Sequence, residues 1–233
     1  MCGRYSLTTP SDVLAKEFRI PPAEASRLVA RYNIAPSQPV AIVAAGPVSG
    51  SRRLDHAIWG LIPSWSKDPS IGARLINARS ETVLEKPSFK VSVLHRRCLV
   101  PADGYYEWRR EGAARQPYYF KEKSGRPFAF AGIWSDWEDG DGGQLRTCAI
   151  LTREAEGDTR TIHERMPVTV DLTNDSADRW LDPRLSAPSD TADLLRSLTP
   201  GEWRIQAVST RVNDPRNDDE GLFSGVIDVT KTP

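Results

Sequence analysis

Seven short runs rich in β-branched and aromatic residues, each bounded by Gly, Pro, Asp or Asn, constrain the fold of this chain most. They are PVAIVA at 39–44, HAIWGLI at 56–62, PYYFKE at 117–122, PFAFAGIW at 127–134, RTCAILT at 146–152, MPVTVDL at 166–172 and WRIQAVS at 203–209. Runs of this length and punctuation read as strands. Helical signals occur between only some of them. One region covers about 11 to 31 and is split by Pro21 and Pro22; a second, SETVLEKPSFKVSVLHRR, is interrupted near Pro87. SADRWLD and SDTADLLRSL read as later helices with Ser176 and Ser189 as caps. Strands outnumber helices and do not alternate with them, which argues against a doubly wound parallel sheet. The expected fold is α+β: a mixed, mostly antiparallel sheet curled toward a barrel, with flanking helices. No repeat and no long Pro-rich or Gly/Ser-rich stretch divides the chain, so a single domain over 1–233 is expected.

With 39% hydrophobic and 27% charged residues over 233 positions, the chain has enough apolar content for a full core. It lacks the run of roughly 18 to 20 apolar residues that a membrane span needs, and MCGRYSLTTP has no apolar signal-peptide core. A cytoplasmic protein with no membrane partner is expected. Cys2, Cys98 and Cys148 form no CxxC pair, so reduced thiols are expected, without a cysteine-rich zinc site or any other metal. The balanced total charge hides an asymmetry. Residues 1–100 hold fourteen Lys and Arg against seven Asp and Glu, whereas the remainder holds seventeen against twenty-four. Such a division fits either two mutually attracting faces or a basic groove for an anion.

Cys2 is the most informative residue. A small residue after the initiator normally permits removal of Met1, and the chain would then begin with an amine and a thiol on one carbon. Their reference pKa values are about 7.7 to 8.0 and about 8.5, so both are usable near neutrality. Such an aminothiol condenses with an aldehyde, first to a Schiff base and then to a five-membered thiazolidine. A small buried thiol at the start of a strand is the other reading. Glu107 lies between Tyr106 and Trp108, where desolvation would raise its pKa; pairing with Arg109 or Arg110 is the alternative. Asn77 fits a turn cap as well as a ligand-holding amide, and His163 precedes an apparent strand. His56 and His95 read as structural. The acidic turn segments EDGDGG at 138–143 and NDPRNDDEG at 213–221 read as exposed loops without chemistry.

Seven segments in register carry a resemblance: MCGRY, YNIAP at 32–36, WGLIPSW at 59–65, NARSE at 77–81, PADGYYEW at 101–108, HERMP at 163–167 and VSTRVN at 208–213. In this order and spacing the chain resembles the SOS-response-associated peptidase family, also called abasic-site processing proteins, over essentially its whole length. The resemblance implies a protein that bonds covalently through Cys2 to the ring-opened sugar aldehyde of an abasic site in single-stranded DNA, without a cofactor. It also implies a thiol peptidase that releases its own Met1, and abasic-site lyase chemistry. Asn77 would hold the sugar or the N-terminus, with Glu107 and His163 moving protons. DNA contacts are expected from Arg4, Arg79 and Arg165 on phosphates, Trp65 as a stacking surface, and Asn33 and Pro36 along the cleft. Each arginine has an alternative place in the scaffold, paired with Glu81, Glu107 or Glu164. A monomer is expected. Two other readings stand beside this one: an N-terminal-nucleophile amidotransferase, which also opens on MCG but would need further substrate motifs, and a non-covalent DNA-binding module.

Overall fold

Each of the seven apolar runs contributes to a strand, and the strands lie in two sheets. The computed structural model describes residues 2–112, 114–223 and 227–228. The chain opens with β1 (Tyr5–Leu7), α1 (Ser11–Phe18), α2 (Pro22–Ala25), β2 (Arg31–Ile34), β3 (Pro39–Ala45) and β4 (Arg52–Trp59). A 3₁₀ turn leads to β5 (Asn77–Arg79) and α3 (Pro87–His95). Five longer strands follow: β6 (Arg97–Ala102), β7 (Gly104–Glu111), β8 (Ala114–Glu122), β9 (Phe128–Glu138) and β10 (Gln144–Glu154). The last part carries β11 (Arg165–Pro167), β12 (Thr169–Val170), α4 (Ser176–Leu181), α5 (Pro188–Ser197), β13 (Trp203–Ala207) and β14 (Ile227–Asp228).

Strands β4, β3, β6, β9 and β10 pair successively, and β10 returns to β4, so the sheet closes on itself as a barrel. The β10–β4 contact is parallel and the others are antiparallel, which matches the mixed sheet expected. Closure removes free edges from these strands. The second sheet runs β14-β13-β8-β7-β1-β2 and is antiparallel throughout. Its apolar face presents Tyr5 and Tyr105 to the barrel. Tyr5 meets Trp59 and Phe130 edge-on at 5.5 and 5.6 Å, and Tyr105 stacks on Phe120 at 4.5 Å. Each such buried aromatic contributes roughly 1.5 to 3 kcal/mol. No helix among the described residues is long and apolar enough to cross a membrane.

Several expectations change. The region 11–31 is not helical throughout. α1 ends at Arg19 in the left-handed conformation, α2 is one turn, and Arg31 already belongs to β2. The cause lies far along the chain, where Asp218 accepts from the backbone N–H groups of Tyr32 and Asn33 and from the Arg31 guanidinium. Likewise SETVLEK forms turns, and the helix begins only at Pro87, whose missing N–H is harmless in a first turn. Ser176 and Ser189 do not cap their helices. Asp175 and Ala187 occupy those positions, and the Ser176 N–H is held by the Asn174 side chain instead.

Gly104 shows why the sequence PADG is needed between β6 and β7. A Cβ at this residue would stand 2.4 Å from the Tyr119 ring and 2.5 Å from the Phe120 carbonyl, so only glycine lets β7 approach β8 here. Asp103 beside it accepts hydrogen bonds from the backbone and hydroxyls of both Thr8 and Thr9. Those bonds tie the segment after β1 to the start of β7 and so fix the beginning of the chain against that strand.

Candidate functional site

Cys2 stands just before β1, and the pairing of β1 with β7 decides what lies beside it. Tyr5 opposes Tyr105 and Ser6 opposes Gly104, and the Tyr106 N–H continues the ladder to the Arg4 carbonyl at 2.9 Å. Continuing that register sets Gly3 opposite Glu107, so Cys2, one residue before it, lies close enough to feel the Glu107 charge. Strand alternation sends Glu107 to the same side as Tyr105, into the interior. Cys2 is fully buried and Glu107 is 2% exposed. Burial first, and the Glu107 charge second, push the Cys2 thiol well above the usual range. Burial also raises the Glu107 carboxyl, with the charge of His163 opposing. The resting thiol is therefore protonated, and the carboxyl holds a proton to higher pH than an exposed glutamate.

Asn77 comes from the other sheet. β10 offers one edge to three partners in turn: Cys148 to Trp59 of β4, Ile150 to Asn77 of β5, and Glu154 to Arg165 of β11. This edge delivers the Asn77 amide to the N-terminal segment, where Nδ2 donates to the Cys2 carbonyl at 2.8 Å. Its Oδ1 is buried with no hydrogen-bond partner among the described residues. An acceptor buried in that way is costly unless something donates to it.

His163 follows the 3₁₀ turn Gly157–Thr161, and its N–H bonds the Thr159 carbonyl at 3.1 Å. The Arg165 N–H donates to its Nδ1 at 2.9 Å. With Nδ1 accepting, the donor nitrogen of the ring is Nε2. Glu107 and His163 line one open cleft of about 740 Å³ together with Trp108, Arg110, Arg115, Ile162 and Glu164. Cys2, Asn77, Glu107 and His163, widely separated in sequence, thus converge.

The basic and aromatic residues fall into two groups. Arg79 and Trp65 are exposed, Trp65 at 61%, and the Arg79 guanidinium has no hydrogen bond or ion pair among the described residues. Pro36 is half-buried in the turn after β2. The remaining expected residues work inside the protein. Arg165 is 8% exposed; its guanidinium forms a two-pronged pair with Glu81 at 2.8 and 2.9 Å and also donates to the Thr152 carbonyl. The scaffold alternative, pairing with Glu81, is the geometry observed. Asn33 is fully buried. Its Oδ1 accepts from Arg4 at 2.9 Å while Nδ2 reaches the Val212, Asp214 and Asn217 carbonyls, so it meets the site only through Arg4. Arg4 also donates to the Val212 and Asn213 carbonyls and lies over the Trp108 ring at 5.9 Å.

The sequence reading missed Asp103 and Asp218 and offered Glu81 only as one of three scaffold partners for the arginines. It also treated 213–221 as an idle loop, whereas this loop holds Arg4, Asn33 and Trp108 in place. Asp103 had a local signal in its Asp-Gly turn; Asp218 acts over 185 or more residues and had none. His56 and His95 are exposed on β4 and at the end of α3.

This combination of a closed barrel with an antiparallel sheet laid beside it occurs in solved proteins. A crystal structure of a protein from Bacteroides thetaiotaomicron superimposes with a TM-score of 0.79 at 28% identity, covering 92% of this chain and 97% of that one. The family model described as SOS response associated peptidase (SRAP) matches residues 1–215, and the chain belongs to that family. Among its relatives, the abasic site processing protein YoqW of Bacillus subtilis is 37% identical over 228 residues, 96% of this chain and 99% of its own length. The abasic site processing protein YoaM of the same organism is 39% identical over 229 residues, covering 96% and 97%.

Proposed function

We propose that this protein recognises abasic sites in single-stranded DNA and, once Met1 has been removed, bonds covalently to the opened sugar through Cys2. The observation that carries the reading is the convergence on Cys2: its carbonyl is held by Asn77, and the Glu107 carboxyl, its pKa raised by burial, lies beside it with His163 in the adjoining cleft. The names of the YoqW and YoaM relatives point to the same lesion.

The raised thiol pKa sets the order of steps. A protonated, buried thiol is a weak nucleophile, so the α-amine reacts first, adding to the C1′ aldehyde to give a carbinolamine. Loss of water from this intermediate needs a proton on the departing hydroxyl, which the Glu107 carboxyl supplies. The cationic imine so formed lowers the cost of ionising the sulfur. The sulfur then adds to the imine carbon, the thiol proton passes to the Glu107 carboxylate, and the five-membered ring closes. One water leaves in total and nothing is oxidised or reduced. Nε2–H of His163 serves the ring oxygen of the sugar as it opens. The partnerless Oδ1 of Asn77 accepts a sugar hydroxyl. Exposed Arg79 takes a flanking phosphate and Trp65 a base.

Two further activities follow from the same groups. Attack of the Cys2 thiol on the Met1 carbonyl would break the peptide C–N bond and form a thioester, which water hydrolyses to free Met1 and restore the thiol, and a Schiff base without sulfur capture would allow strand cleavage by elimination. The test is intact-mass measurement before and after incubation with an abasic-site oligonucleotide. The expected product lacks Met1 and gains the mass of the oligonucleotide less one water, and Cys2→Ala yields no adduct that survives without borohydride. An unchanged stable adduct from Cys2→Ala would overturn the assignment.

A further inference from the structure

We propose that Arg110 and Arg115 together grip a phosphodiester of the DNA strand on one flank of the reacting sugar, an inference that rests on the abasic-site reading of the cleft. The two residues are direct cross-strand partners in the β7–β8 hairpin, so their side chains leave the same face of the ribbon. Both are exposed, and neither guanidinium has a hydrogen bond or ion pair among the described residues. Like charges placed opposite each other on a ribbon destabilise it. A hairpin serving only as scaffold gains nothing from this arrangement.

Neighbouring arginines show the contrast. Arg109 lies over the Tyr118 ring at 4.8 Å, and Arg4 is occupied by Asn33 and two carbonyls. Arg110 and Arg115 instead line the cleft that holds Glu107 and His163. Glu164, which lines it too, forms an ion pair with neither. Two guanidinium forks opposed across a strand pair present paired N–H donors to a single anion, the geometry that a phosphodiester accepts. An anion held between them would also remove the repulsion. The site thereby gains a second phosphate contact, on a different structural element from the Arg79 contact on β5.

The test uses the full chain and a single-stranded oligonucleotide without a lesion, with binding followed by fluorescence anisotropy over a range of salt concentrations. Each phosphate contact on a single strand contributes about 0.7 to the slope of log affinity against log salt. Arg110→Gln with Arg115→Gln is expected to reduce the slope by about 0.7, the value of one phosphate contact, and to weaken binding about 5-fold at ~0.1 M salt. The Lys pair at the same positions is expected to keep the slope. Thermal unfolding of the Gln pair is expected at or above the wild-type midpoint, because the replaced charges repel. Should the double variant fail to fold, Arg115→Gln alone is expected to reduce the slope by part of that amount. A wild-type slope in these variants overturns the clamp even if the wild type crosslinks normally. Conversely, a reduced slope together with a wild type that forms no adduct retires the covalent reading and leaves an anion-binding hairpin.

Discussion

The side-chain amide of Asn77 donates to the carbonyl oxygen of Cys2 at 2.8 Å, joining residues 75 positions apart. β10 supplies the backbone register for the donor and β7 that for the acceptor, so this one bond fastens the start of the chain between the two sheets.

Asn77→Ala removes that donor and the partnerless acceptor together. Misplacing a nucleophile by about 1 Å costs on the order of 100-fold in rate, so adduct formation is expected to slow by about 10- to 100-fold while the circular dichroism spectrum stays unchanged. A time course with the abasic oligonucleotide under single-turnover conditions measures this. Wild-type kinetics would return Asn77 to a purely architectural place.

Burial raises the Glu107 carboxyl while the unfolded chain keeps an ordinary one. Between those two values the folded protein binds more protons than the unfolded one, so stability is full at low pH and falls as pH rises through that window. Glu107→Gln abolishes the dependence. Calorimetry is expected to show a higher unfolding midpoint than wild type at about pH 8 and none of that gain at about pH 4. The same variant is expected to slow crosslinking, because the carbinolamine loses its proton donor. Parallel pH curves for the two proteins would rule out the buried carboxyl as the cause.

Glu81 behaves in the opposite sense. Its partial burial opposes ionisation, but hydrogen bonds from Arg165 outweigh this and hold the carboxyl down at about 2. The pair therefore stabilises the fold above the ordinary carboxylate range and loses that contribution as pH falls toward about 2. The Glu81 side chain is 43% exposed, so solvent screening limits the effect of Glu81→Gln to about 1 kcal/mol at neutral pH. Urea unfolding at neutral and acid pH is expected to show the difference shrinking with acidification. Because the Arg165 N–H bonds His163, slower crosslinking is expected as well.

Arg79 and Arg165 are predicted to separate cleanly. Arg79→Ala takes a free, exposed guanidinium from the strand path and is expected to reduce the salt slope for single-stranded DNA by about 0.7 with little change in unfolding. Arg165→Ala removes the guanidinium bonds to Glu81 and the Thr152 carbonyl, leaving those acceptors with the Glu154 and Ser80 N–H groups, and is expected to lower stability by about 1 to 3 kcal/mol. Its salt slope is expected to stay near that of the wild type. An inverted result, with Arg165→Ala flattening the slope and Arg79→Ala not, would exchange their assignments.

The strands that could be read in advance were those whose apolar runs end in turn formers. β6 and β7 were not, although RCLVPA is buried along its entire length. Its apolar residues follow a helical stretch without Gly or Pro between them, and a short apolar run does not distinguish the end of a helix from a central strand. β5 and β11 are three residues each and exist because the edge of β10 is there to receive them. For the arginines, residue type gave charge but not partner. Arg79 and Arg165 share a motif-like setting in the sequence, yet only the fold brings Glu81 to one of them.

The order of residues along the chain determined the reactive group, since a cysteine at position 2 can offer sulfur and nitrogen on one carbon whatever surrounds it. It also determined the strand-rich class, because the spacing of apolar runs and turn residues is a local property. Tertiary structure decided everything that depends on burial and on distance across the fold: the upward shifts of the Cys2 thiol and the Glu107 carboxyl, the hydrogen bond that Nδ1 of His163 accepts, and which arginines are paired within the scaffold. Desolvation and long-range pairing are set by which strands lie side by side, and no window of sequence contains that information.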